Sequence, residues 1–162
     1  MKDKLLSKQG WVILLICIIS FFINNRVVVP DIMEARNMVT AREMVHDGNW
    51  LVPTMNGDLR LEKPPLPTWL TAVAEMISPD NLALQRAMAG FAAILLVAFF
   101  YLTAVQVMRN KRYAFISTIL LCTCYNIILM GRTASWDIYC HAFMMGAIYF
   151  LILSLIHISE PT

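Results

Sequence analysis

From about Leu82 to Met108 the chain reads LALQRAMAGFAAILLVAFFYLTAVQVM, with Arg86 as its only charged residue. A run of this length exceeds the ~20 apolar residues that a helix needs to cross a bilayer. In hydrocarbon the backbone has no water to bond to, so the segment must satisfy its own N–H and C=O groups as a helix. The rest of the chain agrees with that reading. Of 162 residues, 59% are hydrophobic and 15% charged, and the mean hydropathy is +0.63, too apolar for an ordinary soluble domain. The sequence predicts an all-α polytopic membrane protein.

Three further stretches complete the pattern. The first, WVILLICIISFFI from Trp11, is predicted to continue as helix through Asn24, Asn25 and Arg26 to Val29. With Tyr113 to Met130 and Ile138 to Ile156 this gives four spans, at about 10–29, 82–108, 113–130 and 138–156. Lys2, Lys4 and Lys8 precede the first span, and Arg109-Asn110-Lys111-Arg112 follows the second. The positive-inside bias places both basic groups, and both chain ends, in the cytoplasm. No small-residue cleavage site follows the first run, so it reads as a retained anchor. Arg26, near its outer end, either snorkels to the interface or faces a polar cavity. The tail, residues 157–162, lacks a basic anchor, looks like translated adapter sequence as part of SLIHISEPT, and reads as non-native or truncated.

Pro30 to Leu70 is the only long segment too polar to cross a bilayer; held between apolar helices, the loop 30–80 that it opens is expected outside the cytoplasm. Pro30 stops the first span. Between Ile32 and His46 the apolar positions Ile32, Ala35, Met38, Val39, Met44 and Val45 recur at helical spacing, with Gly48 as the stop, which predicts an amphipathic helix along the membrane surface. Asn56-Gly57, between NWLVPTM and DLRL, predicts a tight hairpin. The prolines of Glu62-Lys63-Pro64-Pro65 hold Lys63 and Pro64 extended, and helix is predicted to resume at about Thr68 and run to Ile77.

Several residues in this outer region can carry chemistry. Asp31 and Glu34 are spaced as a capping box, Asp31 accepting from the amide three residues on and Glu34 reaching back. They are equally spaced for a catalytic acid pair whose base is tuned by partial desolvation. Glu62-Lys63, rigid beside two prolines, suits holding an anion or orienting a partner. Arg132 and Asp137 bracket a second outer turn, as a surface ion pair or as interface anchors. A charge at mid-bilayer is costly on insertion scales, so all these residues are expected at one outer surface, where they can share a site. Cys17, Cys122, Cys124 and Cys140 lie in apolar runs and read as packing; no metal site can be assembled from them or from His46, His141 and His157 by spacing. The net charge of +2, spread through the chain, carries no nucleic-acid signature.

In order along the chain stand Asp31 with Glu34-Ala35-Arg36, Ala41-Arg42-Glu43-Met44, Gly48-Asn49-Trp50-Leu51-Val52-Pro53, Asn56-Gly57 and Glu62-Lys63-Pro64-Pro65. Together they resemble the first outer loop of the polyprenyl-phosphate-sugar glycosyltransferases, the family of protein O-mannosyltransferases and lipid A aminoarabinose transferases with the GT-C membrane fold. The resemblance covers about residues 10–155. It implies the N-terminal part of such an enzyme in a bacterial cytoplasmic membrane, with more than twice as many spans in the family and often a soluble C-terminal domain, so that this stretch alone would be inactive. Family members use a carboxylate at the start of this loop to transfer a sugar, with inversion, from polyprenyl phosphate to a hydroxyl outside the cytoplasm. The usual pattern has Asp directly before the Glu of Glu-Ala-Arg; here that position is Met33 and the aspartate is Asp31, so the role falls to Asp31 or to Glu34.

The implied mechanism has Asp31 or Glu34 as general base on the acceptor hydroxyl of a lipid, glycan or protein. Arg36, Lys63 and Arg132 would neutralise the departing polyprenyl phosphate, with Glu62 and Asp137 lining the same site. The sequence points to no cofactor and leaves a divalent metal open, and no glycine-rich nucleotide loop is present. Two other classes fit the residues: a non-catalytic membrane module binding lipid or partner helices, and part of a transporter. Transporters place polar groups in broken helices at mid-membrane, whereas the later spans here are almost free of charge. A binding module would leave the carboxylates dispensable.

Overall fold

The computed structural model describes residues 8–159, with side chains placed through Ile156; Lys2 and Lys4 of the basic tail and residues 160–162 lie outside them. Among the described residues the regular structure is helical except for one two-stranded hairpin. Its centre is α4, Leu82–Met108, capped at one end by Asn81, whose side chain accepts from the amide of Leu84, and at the other by Arg109 in the left-handed conformation. Around it pack α1 (Lys8–Phe22), α5 (Lys111–Cys122), α6 (Tyr125–Gly131) and α7 (Asp137–Ser159). Small residues make this possible. Ala89, Ala92 and Ala93 of α4 are buried in one core with Ile13, Cys17, Phe21, Ile138 and Tyr139, and without a hydrophobic force between helices in lipid, close approach over small side chains is what holds them. A Cβ at Gly131 would come within 2.6 Å of the Phe21 ring and 2.9 Å of the Ala93 Cβ. The outward faces carry Leu15, Ile19, Phe143, Phe150 and Leu151, all exposed, as lipid-facing positions of an integral membrane protein are.

Two predicted helices are shorter or more broken than the sequence suggested. The first ends at Phe22 rather than Val29: Asn24 turns left-handed (φ 54°), and the Asn25 amide donates to the Ala83 carbonyl at 3.1 Å. The unwinding frees the Asn25 carbonyl to accept from Arg86, a tertiary demand that local sequence does not announce. The stretch predicted as one helix from Tyr113 to Met130 breaks at Thr123-Cys124 into α5 and α6, bent by 65°. At the break the Thr123 hydroxyl returns to the Ile119 and Leu120 carbonyls, a bond that competes with the helical ladder. Among the described residues two helices are long and apolar enough to cross a membrane, three if the bent pair counts as one; α1 is shorter.

The polar segment folds against the end of the bundle where α4 begins. α2 (Ile32–Asp47) ends on Gly48 at φ 74°, the left-handed stop that glycine accepts without strain. Its buried face corrects the sequence reading, because it consists of Glu34, Asn37, Thr40, Ala41 and Met44 while Ile32, Met33 and Ala35 face outward. The helix thus packs through a largely polar stripe. β1 (Thr54–Met55) and β2 (Asp58–Leu59) pair antiparallel across Asn56 and Gly57, both at positive φ, and Glu43 of α2 accepts from Thr54 Oγ1 at 2.6 Å and from the Asn56 amide at 2.5 Å. α3 runs Pro65–Ile77, three residues earlier than predicted. Its prolines occupy the first turn, where the missing N–H groups would have had no partner. Pro64 before it is extended, as its sequence required.

Candidate active site

One buried carboxylate locks three elements together. Glu34 and Arg86 are both fully buried. Arg86 Nε donates to Glu34 Oε1 at 2.6 Å and Nη2 to Oε2 at 2.7 Å, and the Ala134 amide donates to the same Oε1 at 2.8 Å. Arg86 Nη1 donates to the Asn25 carbonyl. One turn further along α2, Asn37 donates to the Ala134 carbonyl at 2.7 Å and to Thr71 Oγ1 at 3.1 Å, and accepts from Thr68 Oγ1 at 2.8 Å. A buried ion pair is tolerated only when its remaining donors and acceptors are satisfied in this way. The result is that the α6–α7 turn is clamped onto the first turns of α2, and α3 and α4 are clamped with it.

This geometry separates the two candidate carboxylates. Asp31 is the N-cap of α2, its Oδ1 accepting from the Glu34 amide at 2.7 Å, so half of the predicted capping box is present. The reciprocal half is absent, because Glu34 turns inward to Arg86 instead of back to the cap. Both oxygens of Glu34 are occupied by N–H donors and no solvent reaches them. Asp31 is exposed, and its second oxygen accepts from no described residue. Of the two, only Asp31 leaves a carboxylate oxygen exposed and without a partner among the described residues.

A cluster of cations forms where the hairpin meets α2 and Trp136. Arg60, just after the hairpin, is buried; its Nη1 donates to the Arg36 carbonyl at 2.6 Å and to Thr40 Oγ1 at 2.7 Å. Its guanidinium carbon lies 5.2 Å from the ring centroid of buried Trp136, and Lys63 Nζ lies 5.4 Å from the same ring. Arg36 and Glu62 line an adjoining open cavity of about 190 Å3 with Arg60, Asn56 and Asp58. Among the described residues Arg36, Arg60 and Lys63 enter no ion pair. Burial pushes the Arg60 guanidinium below its ordinary pKa, with the Glu62 carboxylate opposing and Arg36 adding to the fall. Burial thus opposes the charge of Arg60, whose hydrogen bonds to the Arg36 carbonyl and Thr40 tie the hairpin to α2.

The structure brings Arg36, Glu62 and Lys63 together around Arg60 and places Asp137 at the start of α7, next to Trp136 and exposed. Arg132 is elsewhere: it donates to the Ile23 carbonyl and forms no ion pair with Asp137 among the described residues. Among those residues no group of three or more His, Cys, Asp or Glu could hold a metal ion. Sequence reasoning gave no site role to Arg86, Arg60, Asn37 or Trp136. Arg86 carried a usable signal, since a lone charge in an apolar helix demands a buried partner; Arg60 and Trp136 carried none, because their meeting depends on how the hairpin folds over the α6–α7 turn.

Residues 10–159 match the protein family described as dolichyl-phosphate-mannose-protein mannosyltransferase. The chain is 34% identical over 92 residues (57% of the chain) to an undecaprenyl phosphate-alpha-4-amino-4-deoxy-L-arabinose arabinosyl transferase of Pseudomonas savastanoi pv. phaseolicola, spanning 17% of that protein. It is 31% identical over 108 residues (67% of the chain) to a protein of the same name from Shewanella sediminis, spanning 19% of it. The crystal structure of ArnT from Cupriavidus metallidurans bound to undecaprenyl phosphate superposes with a TM-score of 0.77 at 19% identity, over 90% of this chain and 27% of that one. That likeness shows the fold, part of the GT-C membrane fold. The chain spans about a fifth of the length of the curated relatives it matches.

Proposed function

From the premise that this chain belongs to the family of dolichyl-phosphate-mannose-protein mannosyltransferases, we propose that it carries the outer-face catalytic loop of a glycosyltransferase that uses a polyprenyl-phosphate sugar. Asp31 is the general base, removing the proton of an acceptor hydroxyl as that oxygen attacks the anomeric carbon from the face opposite the phosphate. The C–O bond to phosphate breaks, inverting the centre, and polyprenyl phosphate departs with the bonding pair. Lys63, Arg60 and Arg36 meet the charge that develops on it. Trp136 holds the first two cations in place, and Glu62 lines the same cavity. Asp137, exposed next to Trp136, is a further substrate-binding candidate. The relatives' names speak for undecaprenyl phosphate as the donor's carrier and an aminoarabinose-type sugar; the acceptor is a hydroxyl on a lipid, glycan or protein.

The observation that supports this reading is the gathering of Arg36, Arg60 and Lys63, none in an ion pair among the described residues, on the same polar segment whose first helix is capped by the exposed Asp31. The test has two arms. For binding, the chain in detergent is exposed to undecaprenyl phosphate, and Lys63→Met should weaken retention roughly tenfold or more, the worth of one charge-assisted contact. For transfer, residues 10–159 replace the matching stretch of one of the relatives, and Asp31→Asn should lower sugar transfer by about 10² to 10⁴. Full retention of binding and transfer in both variants would sink the proposal.

A further inference from the structure

The Ala41-Arg42-Glu43-Met44 stretch carries one residue that the proposed chemistry leaves unused. Glu43 lies half-buried on α2, and among the described residues its carboxylate enters no ion pair. Its bonds run to the hairpin instead: it accepts from Thr54 Oγ1 at 2.6 Å, from the Asn56 amide at 2.5 Å and from the Gly57 amide at 3.4 Å. A hairpin whose strands are two residues each is at best marginal in water by itself, and charge-assisted bonds to a carboxylate at the turn supply what its own ladder lacks. At the other end the Arg60 amide donates to the Pro53 carbonyl at 2.8 Å, and the Arg60 guanidinium reaches the Arg36 carbonyl and Thr40 Oγ1. Arg36, Thr40 and Glu43 are spaced i, i+4 and i+7 and so share one face of α2. The hairpin is pinned to that face at its turn by Glu43 and at its base by Arg60.

We infer, on the reading of Arg36, Arg60 and Lys63 as the cations that meet polyprenyl phosphate, that Glu43 is a positioning residue for that anion seat. It fixes the hairpin at its turn, and through the hairpin it sets where Arg60 and, three residues further on, Lys63 stand. These two cations lie 5.2 Å and 5.4 Å from the Trp136 ring centroid, distances that belong to the hairpin docked on α2. Released at the turn, the hairpin keeps only the bonds of Arg60 to α2, and the cations lose their common register on the ring. A carboxylate suits the task because its two oxygens can accept from a hydroxyl and two backbone N–H groups at once, whereas an amide offers one accepting oxygen.

The test measures retention of undecaprenyl phosphate by the chain in detergent, alongside thermal unfolding and hydrogen exchange. Glu43→Ala should weaken retention roughly threefold or more and speed exchange at the Asn56 and Gly57 amides. The unfolding midpoint should hardly move, since Glu43 belongs to neither buried apolar cluster. Glu43→Gln, which keeps one acceptor oxygen, should recover part of both effects. In a Lys63→Met background Glu43→Ala should cost less than it does in the wild type, because the ammonium it would misplace is already gone. A full and independent loss there would make Glu43 a general brace of the loop and overturn its positioning role. If Glu43→Ala does not fold, Thr54→Val, which removes one donor on the hairpin side and keeps a β-branched strand residue, decides by the same readouts. Retention unchanged in the deciding variant while Lys63→Met binds weakly would sink the role of Glu43 and leave the cation seat standing. Unchanged retention in Lys63→Met would remove the seat itself, and the role of Glu43 with it.

Discussion

Asp31 and Glu34 stand three residues apart at the start of one helix, yet burial gives them opposite duties. Asp31 caps α2 with one oxygen and leaves the other open, so Asp31→Asn keeps a cap-competent oxygen and removes only the proton acceptor. Thermal stability should hardly change while transfer falls by the factor given above. Glu34→Gln is a different perturbation, although it looks equally conservative in sequence. It leaves the Arg86 charge buried without its counter-ion, and breaking such a pair costs about 3 kcal/mol or more. We expect the loss to appear first as a lowered midpoint of thermal unfolding in detergent, and the double variant Glu34→Gln with Arg86→Met to recover part of it. Equal stability of wild type and Glu34→Gln would show that the ion pair does not hold the loop, and a Glu34→Gln protein of normal stability without transfer would return the base role to Glu34.

Helices whose limits depend on local chemistry were legible in the sequence. α4 starts at the asparagine cap and ends at the basic turn, α2 stops on Gly48, and the hairpin falls on Asn56-Gly57. What the sequence hid was decided by partners far along the chain: the unwinding after Phe22 serves Arg86, 61 residues away, and the buried stripe of α2 is polar because Arg86, Thr68, Thr71 and Ala134 await it. The same distance hid half of the site, since Arg60 and Trp136 meet only after the loop folds. At the junction of α1, α4 and α6 the limiting contact is steric. Gly131→Ala would put a methyl group 2.6 Å from the Phe21 ring and 2.9 Å from Ala93, and overpacking of this kind costs about 1 to 3 kcal/mol. A drop in the unfolding midpoint is expected for Gly131→Ala, with recovery when Phe21→Leu makes room. No change in either variant would mean that α6 is free to move outward, and that the bend at Thr123-Cys124 is looser than its packing implies.

At the scale of the whole molecule, charge and apolar surface are segregated along the helix axes. The hairpin and α2 gather at the end of the bundle where α4 begins, and Arg109, Lys111 and Arg112 sit where α4 ends and α5 starts. The proposed chemistry needs the first end outside the cytoplasm, and the positive-inside bias puts the second end within it. Single cysteines can test both statements at once in a background lacking Cys17, Cys122, Cys124 and Cys140. Asn56 is a poor probe position, because its backbone is left-handed (φ 56°), and Asn110 caps α5 through the Arg112 amide. Asp58 and Lys111 are exposed and free of those constraints. In intact cells Asp58→Cys should react with a membrane-impermeant maleimide and Lys111→Cys should not; after permeabilisation both should react. The reverse pattern would put the cation cluster on the cytoplasmic side, where a sugar carried on a lipid for use outside the cell could not be its donor. The transferase reading would then fail at its premise about sidedness, while the ion-pair and packing predictions for α2, α4 and α6 would stand unchanged.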